Sequence, residues 1–96
     1  MPNYRAGLVN ADGSLNAGSG FVSSQKSTGV YEIQFLGTQG VFIGAITITG
    51  GGTTVLMPRI TWQMNLGGTY VIHLEIRDTS GTLTNTSFSF VAVDHS

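Results

Sequence analysis

The chain has 96 residues, a net charge of −1 and no cysteine. Charged residues make up 9% of it, whereas an average soluble domain has about 25%. This length favours a single domain with a thin margin of stability, and the lack of cysteine excludes disulfides and thiolate-bound metals. We therefore expect oligomerisation to supply part of the stability.

The scarcity of charge argues against two classes of partner. Phosphate neutralisation requires clustered basic residues, but the basic residues here are scattered along the chain: Arg5, Lys26, Arg59 and Arg77. The longest apolar run, residues 41–48, is far shorter than the ~20 residues of a membrane-spanning helix. The amino terminus lacks the apolar segment of a signal peptide. We expect no nucleic-acid binding, no membrane insertion and no cofactor.

The first twenty residues are predicted to form an N-terminal arm. Residues 4–9 are compatible with a short strand that ends near Asp12-Gly13, a strong turn pair. Residues 16–20 are rich in glycine and serine, which favours a flexible segment. The chain is then divided into this arm (1–20), a sandwich core (21–93) and a tail (94–96).

Two later stretches show the period-two alternation of half-buried strands. In residues 30–36 the large apolar side chains on one face are Tyr31, Ile33 and Phe35. In residues 87–93 the corresponding side chains are Phe88, Phe90 and Ala92. A further strand is predicted to begin at residues 21–24, and residues 82–86 are polar and extended.

Residues 41–49 are apolar on both faces of a predicted strand. The apolar residues of one face are Val41, Ile43 and Ala45, and those of the other are Phe42, Ile46 and Ile48. A strand that is apolar on both sides is typically buried on both sides, whereas a sandwich core covers only one. We therefore assign Val41, Ile43 and Ala45 to an oligomer interface and expect Ile43→Asp to break assembly.

Residues 59–77 form the best-defined pair of strands, a hairpin about Gly67-Gly68. Two glycines suit such a turn because turns that match strand twist require positive φ angles. Alternation places Ile60, Trp62, Met64 and Leu66 on one face of the first strand. In the second strand it separates Tyr70, Ile72, Leu74 and Ile76 from Val71, His73, Glu75 and Arg77. A short edge strand is expected at 53–57, before Pro58.

The chain thus contains seven or eight short strands at spacings of about 8–12 residues, with no helical period. This pattern is typical of an all-β fold, an antiparallel β-sandwich or jelly roll. No internal repeat or second domain is visible, so a single β-sandwich domain is expected.

The order of these elements resembles a family of small β-sandwiches from phage tail fibres, collars and related surfaces. The likeness consists of Phe21-Val22, STGVYEIQF at 27–35, the doubly apolar strand, the long hairpin, DTSG at 78–81 and FSFVAV at 88–93. The closing strand is also similar to that of H-type lectins. Both resemblances imply homotrimers, or trimers stacked into larger assemblies, that present loops to a surface or a glycan.

The resemblance implies a non-enzymatic virion surface module, either a receptor-binding part of a tail fibre or a capsid decoration protein. Its partners would be other copies of the chain, a larger virion or fibre assembly, and a cell-surface glycan. The location would be the virion surface or the extracellular space. The alternative is a free-standing oligomeric lectin.

Candidate site residues are few. No nucleophile motif or catalytic constellation is present, which favours a protein that is not an enzyme. His73 and Glu75 are neighbours on one strand face and form a weak candidate pair of metal ligands, although zinc needs two more. The alternative is that Glu75 pairs with Arg77 or Arg59 on a wetted face.

Two aromatic residues are candidate ligand contacts. Trp62 is the one residue able to stack on a sugar ring, but its shared face with Met64 and Leu66 favours a core position. Tyr4, near the terminus, is the other aromatic residue without an assigned place in the core.

Overall fold

The computed structural model describes residues 3–38, 40–50 and 52–94. Within them the chain forms eight strands: β1 (Asn3–Val9), β2 (Leu15–Gly18), β3 (Phe21–Ser27), β4 (Val30–Leu36), β5 (Val41–Ile48), β6 (Leu56–Asn65), β7 (Thr69–Asp78) and β8 (Phe88–Asp94). Sheet I has the order β2-β1-β8-β5 and sheet II the order β3-β4-β7-β6, and all strand pairs are antiparallel. The predicted all-β antiparallel sandwich is confirmed.

Three of the strand pairs are hairpins, and the others join strands that are distant in sequence. If the strands are counted cyclically from β3, so that β1 follows β8, the two sheets can be compared with those of immunoglobulin-type sandwiches. The order β3-β4-β7-β6 of sheet II and the order β5-β8-β1 within sheet I then match the strand orders of those two sheets. This is a likeness of strand order alone and carries no function. The described part of the chain holds no helix of the length and apolarity that a membrane crossing requires.

The core lies between the sheets and is built from the alternating apolar residues of the central strands. The predicted inward sets of β4, β7 and β8 are confirmed: Tyr31, Ile33, Phe35, Ile72, Leu74, Ile76, Phe88, Phe90 and Ala92 are all buried. Aromatic rings meet edge to face across the layers, with centroids 4.9 Å apart for Phe21 and Phe90 and 5.1 Å apart for Tyr31 and Phe88.

The Tyr31 hydroxyl ties three segments together inside this core. It donates a hydrogen bond to the carbonyl oxygen of Ala11 (2.7 Å) and accepts one from the backbone amide of Thr86 (3.2 Å). Burial raises the pKa of the Tyr31 phenol, so the hydroxyl keeps its proton and both bonds well into the alkaline range.

The amino-terminal residues belong to the sandwich rather than to an arm. β1 lies between β2 and β8, and Val9 at its end is fully buried. Gly7 faces the core, where a Cβ atom would lie 2.2 Å from Cζ of Phe21. The segment expected to be flexible forms β2, which pairs with β1 at the edge of sheet I.

All four outermost strands of the described sheets contain a register shift, and each shift leaves one edge residue without a cross-strand partner. The skipped residues are Asn16 in β2, Lys26 in β3, Gly44 in β5 and Thr61 in β6. The interior pairs β1–β8 and β4–β7 run without a shift. Such β-bulges turn the following side chain to the opposite face.

The bulge at Gly44 corrects the predicted assignment of β5 residues to two faces, apart from Phe42, whose side chain lies outside the described part of the structure. Val41 is buried and Ile43 packs against the core, and after the skipped residue Ile46 and Ile48 also pack against the core. Ala45 follows the bulge directly and is exposed. The prediction that Val41, Ile43 and Ala45 share one face is therefore wrong, because the extra residue at position 44 reverses the alternation.

The bulge at Thr61 changes β6 in the same way. Ile60 pairs with Leu74 and Trp62 pairs with His73, so Ile60 packs on the core while Trp62 and Met64 lie on the outer face. The predicted common face of Ile60, Trp62 and Met64 is wrong. β6 also runs unbroken through Pro58, which an edge strand tolerates because one of its sides has no partner strand.

Candidate functional site

The outer face of sheet II carries an aromatic side chain beside a polar cluster. Trp62 is 38% exposed, and its ring lies against the imidazole of His73 with centroids 4.7 Å apart and planes inclined by 45°. The preference for a core position of Trp62 is thus corrected. One face of the indole packs on His73, which holds the ring in a fixed orientation at the surface.

Glu32 is the centre of the polar cluster. Oε1 accepts a hydrogen bond from Gln34 Nε2 (2.8 Å) and forms an ion pair with Lys26 Nζ (3.5 Å), and Oε2 lies 2.8 Å from His73 Nε2. The Gln34 hydrogen bond, with smaller contributions from His73 and Lys26, holds the pKa of Glu32 below its usual range against the opposing effect of burial. Glu32 is therefore ionised near neutral pH and can only accept.

Because the carboxylate only accepts, His73 Nε2 must donate to it. Gln34 uses its amide nitrogen in this cluster, so its carbonyl oxygen is left to accept from a ligand. Three donors occupy the carboxylate, which has about four lone-pair positions. The cluster thus offers acceptors on Gln34 and Glu32 and further donors on Gln34 and Lys26.

These residues line an open depression that we call the Trp62 groove. Its volume is about 390 Å³, and its lining residues are Glu32, Gln34, Trp62, Leu66, Thr69, Val71 and His73. Trp62, Leu66 and Val71 form its apolar part, and the Glu32 cluster forms its polar part. Mixed linings of this kind, with few fixed polar groups beside an aromatic surface, are typical of small-molecule sites.

A second depression continues the same face along β6 and β7, and we call it the arginine end. Its volume is about 370 Å³, and its lining residues are Met57, Pro58, Arg59, Glu75 and Arg77. The strand register places Arg59 opposite Glu75, and Trp62 opposite His73. The Trp62 groove and the arginine end are therefore adjacent parts of one strip on the outer face of sheet II.

The two candidate metal ligands, His73 and Glu75, form contacts with different partners. His73 contacts Glu32, whereas Glu75 Oε2 pairs with Arg77 Nη2 at 3.2 Å, which confirms the alternative pairing of Glu75. Within residues 3–38, 40–50 and 52–94, no three His, Asp or Glu side chains are grouped to hold a metal. The other histidine of the chain, His95, lies outside the described residues.

Tyr4 and Trp62 lie on opposite sides of the sandwich. Tyr4 is 69% exposed on the outer face of sheet I, so the two candidate contacts cannot meet the same ligand on one chain. The described outward residues of that face are uncharged: Tyr4, Ala6, Leu8, Ala17, Ala45, Thr47, Ser89, Val91 and Val93. We call this set the neutral face.

The charged residues of sheet I lie away from the neutral face. Arg5 and Asp94 form an ion pair of 3.1 Å between side chains that are mostly buried. Thr38 donates a hydrogen bond to the same carboxylate at 2.7 Å. This pair holds the end of β1 against that of β8, and leaves the outward side of the sheet without charge.

Sequence reasoning missed Glu32 and Gln34 as members of the groove. The alternation of β4 leaves both on its outward face, but His73 is 41 positions further along the chain than Glu32. The link is the pairing of Glu32 with His73 between β4 and β7. Matching the outward polar residues of the two best-defined strands could have suggested it.

Comparison of the chain with protein-family models finds no match, and comparisons with curated proteins and with solved structures find none either.

Proposed function

We propose that this chain is a non-enzymatic attachment module that binds a saccharide in the Trp62 groove. The observation that carries the proposal is the exposed Trp62 ring, which packs against His73 beside the Glu32 polar cluster. Aromatic side chains supply much of the binding energy of interfaces, and an indole ring is flat and large enough to pack on a ligand.

The chemistry of the groove matches a sugar ring better than a purely apolar ligand. A pyranose has an apolar face of C–H groups, which packs on a flat aromatic ring, and a rim of hydroxyl donors. Gln34 Oε1 and the remaining lone pair of Glu32 can accept from such hydroxyls. The donors that already hold Glu32 fix its position before the ligand arrives, which lowers the entropy cost of binding.

The proposal places the module on a virion surface, as part of a tail fibre or as capsid decoration within a larger assembly. This location follows from the resemblance to phage tail-fibre and collar sandwiches. The second candidate, a free-standing extracellular lectin, uses the same groove. In both cases a homotrimer would multiply weak sugar contacts by avidity.

Self-association is proposed to occur through the neutral face. A foreign charged partner would find no complementary charge there, whereas a second copy offers the same uncharged surface. A domain of 96 residues also has a thin stability margin, which burial of this face would increase. Of the three residues first assigned to the interface, Ala45 is exposed on this face, whereas Val41 and Ile43 serve the core.

A glycan array followed by titration calorimetry tests sugar binding. We expect selective binding by the purified chain and its loss in Trp62→Ala. Val55→Ala removes an exposed apolar side chain from the β5–β6 loop, outside both the Trp62 groove and the neutral face, and serves as the control, with binding retained. Absence of any selective saccharide, or unchanged binding by Trp62→Ala with an intact fold, would contradict the proposal.

Light scattering behind a sizing column tests self-association. Ala45→Asp places a charge on the neutral face, and we expect it to convert a trimer to monomers, while Thr53→Asp in the β5–β6 loop has no effect. Ile43→Asp is unsuitable because Ile43 packs against the core and the fold itself would be lost. A monomeric wild type, or a trimer that survives Ala45→Asp, would refute this interface.

A further inference from the structure

We propose that the saccharide bound in the Trp62 groove is acidic and that Arg59 binds its anionic group. This inference rests on the proposed function and assigns the arginine end as a second subsite of the same ligand. The shared chemistry is an oxyanion carried on a sugar, either the carboxylate of a sugar acid or a sulfate ester.

Arg59 is an exposed cation without a partner in the described part of the chain. No hydrogen bond or ion pair joins it to another described residue, although Glu75 is opposite it on β7. Glu75 is instead engaged by Arg77, whose other nitrogen donates to the carbonyl oxygen of Gly81 at 2.6 Å. The Arg59 guanidinium therefore keeps its full set of donors for a ligand.

The arginine end carries a local surplus of positive charge. Two guanidinium groups face one carboxylate there, in a protein whose net charge is −1. An anion at Arg59 would thus be attracted by the positive charge of a guanidinium that forms no ion pair with a described carboxylate. The planar guanidinium can hold carboxylate or sulfate oxygens through two parallel hydrogen bonds, which adds geometric selectivity to the charge.

The spacing of the strip allows one ligand to reach both subsites. His73 and Glu75 are two positions apart on the same face of β7, which separates them by about 7 Å. Their cross-strand partners, Trp62 and Arg59, are displaced by the same step. A sugar ring stacked on Trp62 therefore places a substituent, or the next sugar, within reach of the long Arg59 side chain.

The test compares one neutral oligosaccharide with its carboxylated and its sulfated derivatives, titrated calorimetrically into the full chain. At low salt we expect at least one acidic derivative to bind about tenfold more tightly than the neutral parent. This advantage should shrink at high salt, because the contact is exposed to solvent and screened. The two derivatives distinguish carboxylate from sulfate.

Arg59→Gln should remove the advantage of the acidic ligand and leave the affinity for the neutral parent unchanged. Ser19→Glu, in an exposed turn between β2 and β3, changes the net charge by the same amount and controls for long-range electrostatics. Equal affinity for neutral and acidic ligands, both lost in Trp62→Ala, would overturn the role of Arg59 and leave the proposed function standing. Absence of binding to any of the three ligands would overturn both.

Discussion

Replacing Tyr31 by phenylalanine tests the buried connection between the two sheets. The substitution removes only the hydroxyl, which is bonded to the carbonyl oxygen of Ala11 and the amide of Thr86. Loss of a hydrogen bond costs about 1 kcal/mol, and a buried donor left unpaired costs about 1–3 kcal/mol. Because Thr86 is only 3% exposed, water does not readily replace the lost acceptor, and we expect a total loss of about 2–3 kcal/mol.

The assay is thermal unfolding monitored by circular dichroism, supported by chemical denaturation. For a domain of this size the loss corresponds to a fall in Tm of roughly 10–20 °C. Tyr70→Phe is the matched control, since the Tyr70 hydroxyl donates only to the exposed Gln63 side chain, and its cost should stay within about 0.5 kcal/mol. If Tyr31→Phe is no more destabilising than Tyr70→Phe, the reasoning is wrong.

Gly7→Ala places a Cβ atom 2.2 Å from the buried Phe21 ring, so the free energy of unfolding should fall by about 1–3 kcal/mol. The control is Gly44→Ala, whose Cβ would lie 3.5 Å from the nearest backbone oxygen and which should change the stability little. Equal effects of the two substitutions would contradict the packing argument. The lowered pKa of Glu32 means that its stabilising contribution is present above the unfolded-state pKa and is lost as pH falls through the folded-state pKa. The difference in Tm between the wild type and Glu32→Gln should therefore narrow as pH falls below about 4, and a difference that is constant from neutral pH to about pH 3 would be inconsistent with this cluster.

The central strands could be predicted from the sequence because alternation alone defines them. The bounds predicted for β4, residues 30–36, are those observed, and the turn at Gly67-Gly68 has φ angles of 67° and 97°. Interior strands have a partner on each side and one buried face, so a one-residue slip would move the whole apolar set into solvent. Their sequences therefore follow the period of two closely.

The edge strands could not be predicted in the same way. Uninterrupted alternation through Thr61 predicts Trp62 in the core, and uninterrupted alternation through Gly44 predicts two apolar faces for β5. A bulge changes the register by one residue without requiring a distinctive sequence; Gly44 was a hint, but Thr61 resembles any outward threonine. Trp62, a candidate ligand contact that the alternation placed in the core, reaches the surface beside His73 through this bulge.

The confinement of the bulges to β2, β3, β5 and β6 has a consequence for how copies of this chain can associate. An exposed strand edge is a template for adding further strands, and a long flat edge leads to domain swapping or cross-β aggregation. Each edge here is interrupted by a skipped residue, so an incoming straight strand would lose register with it partway along. The bulges thereby disfavour the addition of strands from other copies to the edges of the two sheets. Electrostatic repulsion gives little such protection here, because only 9% of the residues are charged.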